Sequence, residues 1–272
     1  MLSRPSASKR PVPSQAAHQL YAVLVARAWP HHQTSFLALI SVLRTCPLSR
    51  VDAEGRKHPL GLWEGSTENK SVCQALLNNL VERGLDPEHP ILAVIDGGKA
   101  IRAALKAIFG ERVLIARCRQ HKRRNVLDHL PEAQRSFIGR RLDRAWRETD
   151  PERAEAELRE LARQLQADHP GAACSLREGL EESLTVTRLG LSPSLLRTFK
   201  STNPIESMIS VARTVTRQRQ ALAGRQHGPA LDSGWSAGGG KAFRRVNGYR
   251  DLQLLRAALL ATRPPGAAAT VA

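Results

Sequence analysis

Apolar residues along this chain follow different rhythms, and each rhythm implies a different element. Between Lys70 and Gly84 they recur at helical spacing, with Val72, Leu76, Leu77 and Leu80 on one face, Ser66 and Thr67 ahead of Glu68 as an opening, and Gly84 as a stop. "ILAVI" (91–95) is instead an unbroken apolar run between Pro90 and Asp96-Gly97-Gly98, the pattern of a strand buried on both faces. "KAIRAALKAIFG" (99–110) returns to the helical period with Ile101, Ala104, Leu105 and Ile108 inward, and "VLIA" (113–116) reads as a second buried strand. Strand, helix and strand in that order predict a βαβ unit with parallel pairing.

Upstream of this unit, "DAEG" (52–55) predicts a turn and "HPLGLWEG" (58–65) a short strand, with Pro59 tolerated only near a strand start or a sheet edge. Downstream, residues 122–198 read as several helices with little or no strand. In "PERAEAELRELARQLQ" (151–166) Asp150 is the expected cap, Pro151 takes the first helical position, and residues 154, 158, 161, 162 and 165 keep helical spacing. "STNPIES" (201–207) predicts a further helix start over 204–217: Asn203 as N-cap, Pro204 at the first helical position, and Glu206 reaching back to the cap N–H as a capping box. A last helix is expected from about residue 250, and the tail after it carries no periodic signal.

Residues 1–50 differ from the rest. They hold no Asp or Glu, and the first acid is Asp52. "YAVLVARAW" and "FLALISVL" suit either short strands or helices, and the expectation for the segment is a basic arm.

Composition narrows the function classes. Forty-one Lys and Arg against 25 Asp and Glu give a net charge of +16 over 272 residues, which points to a polyanionic partner, nucleic acid before an anionic membrane. Aromatic residues make up only 4%, so phosphate contact by Arg and Lys is favoured over base stacking. Cys46, Cys73, Cys118 and Cys174 form no CxxC pair, which supports neither a disulfide framework nor a Cys-rich zinc module and fits a reducing cytosol. "FLALISVL" is too short to span a bilayer. Neither a secretion signal nor an internal repeat is evident.

Three places offer chemistry. Asp96 ends a buried strand, the edge at which open α/β sheets bind ligands, although Asp-Gly is equally a common turn pair. "RCRQHKRRN" (117–125) sets Cys118 and His121 three apart among Arg117, Arg119, Lys122, Arg123 and Arg124. Two ligands do not close a zinc site, so the cluster reads either as a phosphate-binding edge or as a solvated charged surface. Glu206 opens a helix that continues through Arg213 and Arg217, offering one carboxylate and a row of cations for DNA contact.

Taken together, "VDAEGRKHPLGLWEGSTEN" (51–69), "VIDGGKAIRAAL" (94–105), "RCRQHKRRNVLDHLP" (117–131), "KSTNPIES" (200–207) and "FRRVNGYRDLQLL" (243–255) resemble the Mutator-like transposases of bacterial insertion sequences. The blocks stand in the family's order. The resemblance implies an α/β fold: an RNase H-like core, a mixed sheet with flanking helices, interrupted by an all-helical insertion. It also implies a DDE active site using Mg²⁺ (or Mn²⁺) for DNA strand cleavage and strand transfer. Asp96 matches the family's second catalytic aspartate, Glu206 its catalytic glutamate, and Cys118 and His121 its Cys-x-x-His signature. On this frame residues 1–50 are the atypical arm, 51–121 the first part of the core, 122–199 the insertion, 200–262 the rest of the core, and 263–272 a disordered tail. The implied partners are the element's DNA ends and target DNA, with a homo-oligomer on the DNA, no membrane, and a cytoplasmic, nucleoid-associated location.

One departure changes the expectation. The family's first catalytic aspartate lies on a strand upstream of the "DAEGRK" turn, a region that here carries no carboxylate. The chain is therefore expected to be an N-terminally truncated or frame-shifted copy, defective in catalysis. The alternative reading is an inactive DNA-binding remnant that interferes with intact transposase.

Overall fold

The structure, a computed structural model, describes residues 23–26, 45–64, 70–210 and 243–262. Five strands form one mixed sheet: β1 (Val23–Ala26), β2 (Thr45–Val51), β3 (Lys57–Glu64), β4 (Ile91–Ile95) and β5 (Val113–Arg117), in the order β3-β2-β1-β4-β5. β2 is antiparallel to both β1 and β3, while β1, β4 and β5 run parallel.

The parallel half is the predicted βαβ unit, with α2 (Lys99–Phe109) crossing from β4 to β5. Every residue of β4 is buried, as its unbroken apolar run requires. Its odd residues Ile91, Ala93 and Ile95 join α1 (Lys70–Glu82) and α2 in one core cluster. Leu92 and Val94 face the other way, into a second cluster with Leu195, Phe199, Ile205, Met208 and Leu255. Period-two alternation thus assigns one helical layer to each face of the sheet. On α1, Cys73 is buried with Leu76, Leu77 and Leu80, while Val72 is only half-buried. On α2, Phe109 takes the buried place expected of Ile108.

The antiparallel half corrects the expectation of a basic arm over residues 1–50. Residues 23–26 and 45–50 belong to the sheet, with β1 between β2 and β4. "FLALISVL" (36–43) lies outside the described residues. β3 is an edge strand, so Pro59 is tolerated there, and the register shifts beside it: Leu48 pairs with Gly61 but Ser49 with Pro59, leaving Leu60 unopposed in a bulge. The predicted turn is held by the Asp52 carboxylate, which accepts the Glu54 and Arg56 backbone N–H groups at 3.0 and 2.7 Å. Gly55 is required in it: φ is +76°, and a Cβ there would stand 2.2 Å from Tyr249 Cβ.

Six helices fill the stretch between β5 and the second part of the sheet layer: α3 (Arg119–Asp128), α4 (Glu132–Ala145), α5 (Pro151–Asp168), α6 (Pro170–Arg177), α7 (Leu180–Arg188) and α8 (Pro193–Phe199). Their own core runs from Val126 to Leu184. On α5 the buried residues are Ala154, Leu158, Leu161, Ala162 and Leu165, the positions expected from the spacing. Each buried leucine contributes roughly 2 kcal/mol relative to exposure. Asp150 caps α5 by accepting the N–H groups of Glu152 and Arg153. The insertion is shorter than 122–199 as a separate core, because Val186, Leu191, Leu195 and Phe199 pack on the sheet instead. A helix over 203–210 (α9) and α10 (Leu252–Ala261) complete that layer.

Candidate active site

Asp96 follows β4 directly. Its Oδ1 accepts the Gly98 N–H at 3.2 Å, so it does shape the turn. It also continues the alternation of Leu92 and Val94, on the sheet face that α9 covers through Ile205 and Met208. Glu206 is carried by that helix, whose start is linked to the end of β4 through Thr202 N–H to Cys118 Sγ and Cys118 N–H to Ile95 O. Gly97 beside it has φ of +116°, and a Cβ there would fall 1.9 Å from Arg117 Cζ. Glycine at 97 is thus dictated by a guanidinium lying across the loop.

Glu206 is half-buried on α9, but the predicted capping box does not form. The helix begins one residue earlier than expected, since the Thr202 carbonyl accepts both Ile205 N–H and Glu206 N–H at 3.1 Å. Thr202 is then the N-cap, and its hydroxyl donates to Glu206 Oε1 at 2.8 Å. A hydroxyl has one proton, and this is the shortest of its side-chain contacts, the others being His121 Nδ1 at 3.4 Å and Cys118 Sγ at 3.5 Å. Sequence reasoning missed Thr202; its place four residues before a glutamate at a helix start was the available signal.

Cys118 and His121 meet at this point. Cys118 is fully buried, its N–H donates to Ile95 O at 2.7 Å, and its sulfur lies 3.1 Å from His121 Nδ1 and accepts the Thr202 N–H at 3.4 Å. The end of β4, the start of α3 and the start of α9 are tied together by this pair. Lys57 Nζ adds a tie from β3 by donating to Ser207 Oγ at 2.7 Å.

The basic cluster resolves into two kinds of residue. Arg117, Arg119 and Lys122 were expected at a phosphate-binding edge, and the structure corrects this, because all three are buried. Arg119 donates to the carbonyls of Ser183 and Trp146 and to Thr187 Oγ1, and burial lowers its pKa to about 10, which leaves it charged at neutral pH. Lys122 donates to the carbonyls of Ser175 and Glu178, and burial, then the nearby Arg117, lowers its pKa to about 8. Arg117 pairs with Glu178 at 3.2 Å. These cations fasten the insertion to the sheet and have no face for an external phosphate. Arg123, paired with Asp143 at 3.3 Å, is half-buried, and Arg124 is exposed. Arg213 and Arg217 lie outside the described residues.

Among the described residues no group of three or more His, Cys, Asp or Glu side chains is placed to hold a metal ion. Asp96 and Glu206 have the hard oxygen chemistry that suits Mg²⁺, but two carboxylates with no third beside them among the described residues do not fit a two-metal centre. No described helix is long and apolar enough to cross a membrane.

Comparison with known proteins agrees with the resemblance seen in the motifs. Residues 46–226 match the family described as Transposase, Mutator family. The chain is 32% identical over 174 residues to the transposase for insertion sequence element IST2 of Acidithiobacillus ferrooxidans, a match covering 64% of this chain and 57% of that protein. It is 29% identical over 178 residues to the transposase for insertion sequence element ISRM3 of Rhizobium meliloti (strain 1021), covering 64% of this chain and 42% of that one. The chain spans about half the length of the curated relatives it matches. With a family match across most of the described sheet, the whole helical insertion and the Glu206 helix, this chain belongs to the Mutator family of transposases.

Proposed function

We propose that this chain is a DDE-type transposase by descent that binds DNA but has an incomplete strand-cleaving site. One observation carries the reading. β1, which lies between β2 and β4 and runs parallel to β4, is Val-Leu-Val-Ala, and no residue before Asp52 is an acid. The strands upstream of the turn therefore add no carboxylate to Asp96 and Glu206. The mixed five-stranded sheet with helices on both faces supports the RNase H-like reading of the core. The net charge of +16 supports a DNA partner.

Within this reading Asp96 and Glu206 are the surviving oxygen ligands for Mg²⁺ or Mn²⁺, and no phosphoryl-transfer step is assigned to the chain. What the chain's own residues do is hold these carboxylates. Thr202 orients Glu206 through its hydroxyl, and Gly98 N–H orients Asp96. Binding to DNA without cutting would let the chain occupy sites used by an intact transposase and interfere with it.

The test is a nicking and strand-transfer assay in Mg²⁺ and in Mn²⁺, on DNA flanking the encoding gene, with the unaltered chain and Glu206→Gln. The expected result is DNA binding by both and cleavage by neither. Cleavage by the unaltered chain that disappears in Glu206→Gln would overturn the reading.

A further inference from the structure

The buried state of Arg117, Arg119 and Lys122 removes them from DNA contact and leaves open which cations meet the backbone. Several exposed arginines of the insertion are poor candidates, because acids neutralise them: Arg144 pairs with Glu157, Arg153 with Asp150, Arg159 with Glu155 and Glu181, Arg163 with Glu160 and Arg188 with Glu155. Arg124, Arg135, Arg140, Arg147 and Arg177 are exposed without such a pair among the described residues, but are spread over α3, α4, the turn after it and α6. A different situation holds where the segment 243–250 crosses the β2–β3 turn. Arg56, Arg244, Arg245 and Arg250 are all exposed there, and among the described residues none forms an ion pair with an acid. Asp251, the adjacent acid, is engaged by the hydroxyls of Ser192 and Ser194 at 2.6 and 3.3 Å. Asp52 and Glu54 are the acids of the turn itself, so the four arginines still outnumber the three local acids, and of those acids only Glu54 is exposed.

These arginines stand on a fixed platform. Val246 is buried and its N–H donates to Gly55 O at 2.9 Å, while Gly55 packs flat on Tyr249. The guanidinium groups of Arg245 and Arg250 sit 5.1 and 5.9 Å from the Tyr249 ring centroid. Hydrogen bonding and charge from Arg250, then Arg245, lower the Tyr249 pKa, a consequence of the same two guanidinium groups. With the ring covered by cations, the surface suits phosphates better than stacked bases.

Its position is also informative. Val51, the last residue of β2, pairs with Val23 at the start of β1, which is parallel to β4. The turn therefore lies at the amino end of β4 and Asp96 at the carboxyl end, about 15 Å apart along a five-residue strand.

We propose that Arg56, Arg244, Arg245 and Arg250, on the β2–β3 turn and the segment that crosses it, form a DNA-backbone contact at the end of the sheet opposite Asp96. This rests on the DNA-binding reading above and names the surface that performs it. A duplex held there contacts the protein away from Asp96, so binding does not depend on a complete cleavage site.

The experiment is a salt titration of duplex DNA affinity for the full chain, the Arg244→Gln/Arg245→Gln/Arg250→Gln variant and an Arg153→Gln/Arg163→Gln control. Each lost phosphate contact should lower the slope of log K against log salt by about 0.9, so the triple variant should lose about 2 to 3 and bind roughly tenfold or more weakly at fixed salt, while the control is unchanged. A slope within about 0.5 of the unaltered chain's would overturn the proposal. So would arginine-dependent binding to anionic lipid vesicles in place of DNA. Phenylglyoxal labelling of the unaltered chain, read by mass spectrometry with and without DNA, needs no variant: protection of Arg244, Arg245 and Arg250 supports the surface and labelling unaffected by DNA overturns it. A chain that binds no DNA at all refutes the broader reading, whereas DNA binding indifferent to these arginines refutes only this surface.

Discussion

Raising the pH from 7 to 10 should stabilise this fold through Lys122, against the destabilisation that alkali usually brings. The Lys122 side chain is wholly buried, with Nζ donating to the carbonyls of Ser175 and Glu178 and the Glu178 carboxylate at 3.7 Å. Desolvation, reinforced by Arg117, lowers its pKa from 10.5 to about 8. The unfolded chain keeps the ordinary value, so between pH 8 and 10.5 it holds a proton that the folded chain has released, and stability rises with pH across that window. Below pH 8 the ammonium is present in both states and its full burial cost applies. At about 1.4 kcal/mol per pH unit, that cost is about 3 kcal/mol, of which about 2 kcal/mol or slightly more is relieved between pH 7 and 10. The neutral amine retains N–H donors for the two carbonyls, so the hydrogen bonds need not be lost. The assay is urea denaturation at pH 7, 8, 9 and 10 for the unaltered chain and Lys122→Met. Other titrating groups are common to both proteins and cancel in the difference. The stability gap between them should shift by about 2 kcal/mol in favour of the unaltered chain as the pH rises; parallel curves within about 0.5 kcal/mol would refute the reasoning.

Two further perturbations follow from local geometry. Gly97→Ala puts a side chain at φ +116° and into the Arg117 guanidinium, and should cost about 1 to 3 kcal/mol in thermal or chemical denaturation; an unchanged melting temperature would contradict the close approach. Asp150→Ala removes the acceptor for two N–H groups at the start of α5 and should cost about 1 kcal/mol, measured as a lower urea midpoint with an unchanged m value.

The parts of the fold that were readable in the sequence are those whose signal is local. β4 and β5 announce themselves as apolar runs, α5 as a capped stripe of five core positions, and the β2–β3 turn as Asp-Ala-Glu-Gly. The site was partly readable as well, since Asp96, Cys118, His121 and Glu206 stand in recognisable blocks. β1 was not readable, because four residues of Val-Leu-Val-Ala become a strand only by pairing with Leu48–Val51 on one side and Leu92–Ile95 on the other. Thr202 as cap was missed because Asn203 followed by Pro204 is an equally good local start; the choice fell to Thr202, whose hydroxyl also donates to Glu206 and whose N–H donates to the buried Cys118 sulfur.

By itself, then, the amino-acid sequence determined the element types, the family and the excess of positive charge, all of which depend on residue order and composition. Only the tertiary structure decided what each charge does. Arg117, Arg119 and Lys122 look like a surface cluster in the sequence and are interior fasteners in the fold, because carbonyls and a carboxylate from helices more than fifty residues away offer them partners that water would otherwise supply. Arg244, Arg245 and Arg250 look no different on paper, yet they stay in solvent with no ion-pair partner among the described residues, because their segment docks on the turn through Val246 N–H and Gly55 O, with Arg245 and Arg250 beside the Tyr249 ring.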